Sequence, residues 1–114
     1  MNSADTELRV LNKIKDLLSP NTVCIGFETL SVTSTAKSLA SIPFNATSAI
    51  IQVESTITTD AIRYREDGVI PTASVGKFKA NGDEFEIISA QSLQTFRIIQ
   101  GSTGTTQINV SYYK

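Results

Sequence analysis

Thr106-Gln107-Ile108-Asn109-Val110-Ser111-Tyr112 alternates apolar and polar side chains with a period of two. That period sends Ile108, Val110 and Tyr112 to one face and Asn109 and Ser111 to the other, as in a strand with one side on a core. Working outward, Ala49–Val53 is a nearly continuous apolar run, the best candidate for a central strand. Glu84–Ser89 alternates again, with Phe85 and Ile87 together, and Phe96–Gln100 is a further short strand. At the other end of the chain, Thr22–Leu30 places Val23, Ile25 and Phe27 on one side.

Turn chemistry separates these runs. Glu66-Asp67-Gly68 and Asn81-Gly82-Asp83 carry residues that accept a positive φ, Pro71 interrupts the segment between them, and Gly101–Gly104 is a Ser/Thr/Gly loop. Ser89–Leu93 is short enough for a single helical turn. About eight short strands at this spacing, with no helix between them, predict an all-β antiparallel sandwich of jelly-roll character. Residues 4–18 differ: Leu8, Leu11, Ile14 and Leu18 form one apolar helical stripe, widened by Val10 and Leu17 and stopped by Pro20. The expected organisation is an N-terminal amphipathic helix over 1–20, serving for docking or oligomerisation, followed by a sandwich over 21–114. A helix of that length is marginal alone and needs a surface to lie on.

Composition agrees with this division. The chain has 114 residues, enough for one domain, and 40% of them are hydrophobic. Thirteen Ser, fourteen Thr, thirteen Ile and seven Val favour a pleated, half-buried surface, whereas four of the seven Leu lie before residue 20. Ten Lys/Arg against eleven Asp/Glu leave a formal charge of -1, so neither nucleic acid nor membrane is an expected partner. There is no run of about 20 apolar residues to span a bilayer, and the polar start MNSADTELRV does not read as a secretory signal.

Chemistry has few residues to draw on. With no His, no Trp and one Cys, the chain lacks a His-based triad, a CxxC pair and a multi-Cys zinc site. Cys24 reads as a small buried hydrophobe in a strand and fits a reducing cytosol. Asp83, Glu84 and Glu86 cluster, but one belongs to a turn and two share a strand face, the pattern of a solvated or guarded edge. No catalytic residue, metal ligand or cofactor is expected. Arg63-Tyr64-Arg65-Glu66-Asp67 is the densest polar stretch. Its two guanidinium groups share a face, so they call for cross-strand carboxylates (Glu54, Glu84 and Glu86 are the candidates) or for a carboxylate on a partner. The candidate partner contacts are therefore Leu8, Leu11, Ile14, Leu18, Arg63 and Arg65.

A resemblance sharpens this reading. Ala49-Ile50-Ile51-Gln52-Val53-Glu54, then Ile62-Arg63-Tyr64-Arg65-Glu66-Asp67-Gly68 with Pro71-Thr72 and Gly76, Ala80-Asn81-Gly82-Asp83, Phe96-Arg97-Ile98-Ile99 and Ile108–Tyr112 occur in a fixed order. This ensemble resembles small all-β virion proteins of tailed bacteriophages, of the head-decoration, head-fibre or minor capsid type, over roughly residues 22–113. The resemblance implies a non-enzymatic structural protein, assembled in the host cytoplasm and carried in the virion. Its partners would be further copies of itself, a trimer being one option, and other virion proteins. The alternative is a carbohydrate- or receptor-binding sandwich module. With no Trp, its sugar platforms would have to come from Tyr64, Tyr112 and Tyr113, of which the first two also suit a core.

Overall fold

The computed structural model describes residues 22–114. The expected helix over 4–18, and with it Leu8, Leu11, Ile14 and Leu18, lies outside the described residues. Seven strands follow in order: β1 (Cys24–Val32), β2 (Ser48–Ser55), β3 (Ile62–Arg65), β4 (Lys77–Lys79), β5 (Glu84–Ile87), β6 (Arg97–Gln100) and β7 (Thr106–Tyr113). A short helix, α1 (Ala90–Thr95), lies between β5 and β6. Its N-cap is Ser89, whose hydroxyl accepts from the Ser92 amide at 3.0 Å and satisfies one donor of the first turn.

The strands form two antiparallel sheets, ordered β1-β7-β2-β5 and β4-β3-β6. About eight strands are expected and seven are found; beside them Lys37 forms a single-residue bridge, exchanging both main-chain hydrogen bonds with Ile98 on the free side of β6. With Lys37 counted as second of eight, the orders become first–eighth–third–sixth and second–seventh–fourth–fifth, which is jelly-roll connectivity. The last strand thus lies beside the first, and a nine-residue strand, β1, ends one edge of the larger sheet.

The inner faces supply the core. Ala49, Ile51 and Val53 of β2 meet Ile108, Val110 and Tyr112 of β7, all essentially without exposure. Ile62, Tyr64 and Ile98 face them from the second sheet, and Leu93 of α1 closes one side. Between the sheets, Tyr64 stacks on Phe85 with ring centroids 4.3 Å apart, and Phe96 lies 5.7 Å from Tyr64. The alternation expected of β5 and β7 is found. β2 is central in its sheet, as its apolar run suggests, but it alternates too, with Ala49, Ile51 and Val53 on the core and Gln52 in solvent.

β1 departs from expectation. Its register with β7 shifts between Cys24 and Gly26, a bulge that reverses the alternation beyond it. Phe27, expected on the inner side, is 63% exposed, and Glu28 points inward instead. Cys24, read as buried, is exposed, because it precedes the bulge and pairs with Tyr113 on the outer face of β7. Gly26 then lies opposite Tyr112, where a Cβ would stand 2.7 Å from Cγ of Pro43. Only a glycine lets that proline close the end of the sandwich.

Candidate functional site

Glu28 is the one charged residue classed as buried among the described residues, and the loop after β1 is folded around it. Its carboxylate accepts from the amides of Ala40 (3.3 Å) and Ser41 (2.8 Å), and from the Tyr112 hydroxyl. Three donors replace the water lost on burial. Burial pushes the Tyr112 hydroxyl far above its usual range, and the Glu28 hydrogen bond and charge push it further. This pair ties β7, β1 and the 39–41 segment together, so it works inside the scaffold rather than at a surface.

The outer face of β3 presents Arg63 and Arg65 side by side, as the alternation predicts. Their carboxylate partners are not the expected Glu54, Glu84 and Glu86, which belong to the other sheet or its strands. The partners are local. Arg63 donates from Nε (3.3 Å) and Nη2 (2.9 Å) to Asp60 Oδ2, and from Nη1 to the Gly76 carbonyl (3.0 Å), and it lies over the Phe78 ring at 4.9 Å. Arg65 grips Asp67 in a fork, Nε to Oδ1 at 3.0 Å and Nη2 to Oδ2 at 2.5 Å. The hydrogen bond from Arg65 holds the Asp67 carboxyl below its usual range. Arg97 lies opposite Arg65 in register, and it turns its guanidinium to the carbonyls of Gln94 and Phe96. That orientation relieves the like-charge pairing.

Beside this face, a shallow groove of about 550 Å³ is lined by Tyr64, Arg65, Glu66, Asp67, Val75, Gly76 and Lys77. Lys77 reaches Glu66 at 3.6 Å across it. The remaining acidic residues have separate duties. Asp83 accepts from the Ala80 amide at 2.8 Å and closes the 81–83 turn, while Glu54 anchors an amide ladder with Asn109 and Gln107 (3.1 Å each) on the outer face of the larger sheet. Among the described residues, no three His, Cys, Asp or Glu side chains come together as a metal site would require.

What the sequence did not reveal is the number of large apolar side chains left in solvent. Phe44 is 99% exposed at the tip of the turn after Pro43, and Phe27, Phe78, Ile70 and Ile88 are mostly exposed. The Pro43-Phe44-Asn45 order gave a local signal for Phe44, since an aromatic inside a turn has no inner face to join. Phe27 gave none of its own, because its exposure depends on the bulge beside Gly26. Of the three tyrosines considered as sugar platforms, Tyr64 and Tyr112 are buried and Tyr113 is half-buried.

No protein-family model matches the chain, and no curated protein matches it. Among solved structures, a chain described under "Bacillus endospore appendages form a novel family of disulfide-linked pili" is similar at a TM-score of 0.36 and 16% identity. That match covers 81% of this chain and 84% of the other. At this similarity no role passes from one protein to the other.

Proposed function

We propose that this chain is a non-enzymatic structural subunit of a bacteriophage virion, a head-decoration, head-fibre or minor capsid component that works through protein–protein contacts. The observation that carries the reading is the set of exposed apolar side chains, Phe27, Phe44, Ile70, Phe78 and Ile88, on a stiff two-sheet scaffold. Large exposed apolar residues on such a frame fit contact surfaces. The ionisable groups support the same reading, because Glu28, Asp60, Asp67 and Asp83 each hold a strand, loop or turn in place. The order Arg-x-Arg, Asp-Gly and Pro-Thr, which carries the phage resemblance, falls on β3, its turn and the following loop.

The partners are other virion proteins and further copies of the chain, assembled in the host cytoplasm. Arg63 and Arg65 contribute to this surface with their charges already compensated, so they suit orientation of a partner more than capture of a lone anion. The burial of Tyr64 and Tyr112 leaves a sugar-binding module without two of its three platforms. Quantitative mass spectrometry of density-gradient-purified particles tests the proposal. The chain is expected at a fixed copy number per particle, and its recovery only in the soluble lysate would refute the virion role.

A further inference from the structure

The edges of the two sheets are unequal. β4 has three residues, two of them lysines, and β5 has four, two of them glutamates. β6 is covered on its free side by Lys37 and by Thr33, whose carbonyl accepts from the Gln100 amide at 2.9 Å. Short, charged or covered edges resist pairing with another chain. β1 is different: it has nine residues, and its only charged side chain, Glu28, points inward.

The main-chain hydrogen bonds fix what this edge offers. Lys114 exchanges bonds with Val23 on the β1 side of β7, while the Tyr113 carbonyl accepts from Thr47 on the β2 side. Alternation along β7 then directs Tyr112, Val110, Ile108 and Thr106 to β1, where they meet Gly26, Glu28, Leu30 and Val32. The N–H and C=O groups of Phe27, Thr29 and Ser31 consequently point away from the sheet. Lys37 Nζ reaches the Ser31 carbonyl from that side at 2.8 Å, which agrees with this direction. A strand pairing here has to share that carbonyl through its second lone pair or displace this flexible side chain, whereas the Thr33 carbonyl is held by a main-chain bond. The outward side chains of the same three residues are uncharged and exposed.

We propose that β1 pairs antiparallel with β1 of a second copy about a two-fold axis at Thr29, joining two four-stranded sheets into one of eight. The inference rests on the assembly reading above and names one partner for it. Register follows from the residues. With Thr29 opposite Thr29, Phe27 of each copy faces Ser31 of the other and Glu28 faces Leu30. A shift toward Phe27 would set Glu28 against Glu28 on the inner side, and a shift toward Val32 would draw in the Thr33 carbonyl, which Gln100 already occupies. No like charges meet in the favoured register, and a two-fold contact uses the same edge twice.

Sedimentation equilibrium of the full chain, from about 1 µM to about 1 mM, tests this. The apparent mass of the wild type should rise from 12.3 kDa toward twice that value. T29K and T29E should each stay at 12.3 kDa, and an equimolar mixture should regain the larger mass, since opposite charges then meet at the axis. T29V, which shares with them the loss of the Thr29–Asn109 hydrogen bond, should associate as the wild type does. If T29K and T29E associate like the wild type, the copies meet elsewhere: the edge is refuted and the assembly reading stands. If the wild type remains at 12.3 kDa throughout, the edge is refuted, and particle composition alone decides the broader reading.

Discussion

Replacing Glu28 with glutamine would put an amide N–H₂ where a carboxylate now accepts from two backbone amides and a hydroxyl. At least one of these donors would then lose its acceptor, so E28Q should destabilise the fold by about 1–3 kcal/mol in urea unfolding. Tyr112 predicts a pH effect of definite sign. Its folded pKa lies above the ordinary value of 10.0, so between the two the native state holds a proton that the unfolded chain gives up. Stability from this group is complete below pH 10.0 and falls as the pH rises beyond it. Tyr64, raised by burial and by Glu66, adds a slope of the same sign. The urea midpoint should therefore drop on the alkaline side, and Y112F should lessen that drop. A wild-type midpoint that stays level there would remove both tyrosines from the account.

At the scale of the element, β1 shows where local pattern reading stops. The alternation of β7 and β5 was legible because nothing breaks their period and each has one face on the core, whereas that of β2 was masked by Ile50, an apolar residue on its outer side. In β1 the extra residue between Cys24 and Gly26 exchanges the two faces, and its one local sign is Gly26, a glycine inside a strand run. The pairing of the arginines was hidden for a related reason. Side-chain period names cross-strand neighbours, whereas Asp60 and Asp67 reach Arg63 and Arg65 from turns at either end of the same strand. The function of Gly26 does follow from the bulged geometry. G26A would drive a Cβ to 2.7 Å from Pro43 and should cost about 1–3 kcal/mol by thermal or urea melting. An unchanged melting curve would show that Pro43 does not seat there.

For the whole molecule, the two sheets are held together by one continuous core, and Tyr64, Phe85 and Phe96 link them directly. Phe96 is fully buried just before β6, so F96A should lose about 3–5 kcal/mol and unfold both sheets in one transition. Two separate transitions in circular dichroism would contradict a single core. The sequence made this architecture readable because turn residues and short alternating runs are local signals. The outward apolar side chains on which the proposed contact surface rests were less readable, since Phe27 and Phe78 look like core residues until the fold places them outside. That surface bears the central claim, and its most direct test is binding to purified particles that lack this protein. Wild-type chain should bind them to saturation, while the doubly substituted F44S/F78S protein, with an unchanged melting curve, should lose most of that binding. Equal binding by the two proteins would contradict the claim that exposed apolar side chains perform this protein's role.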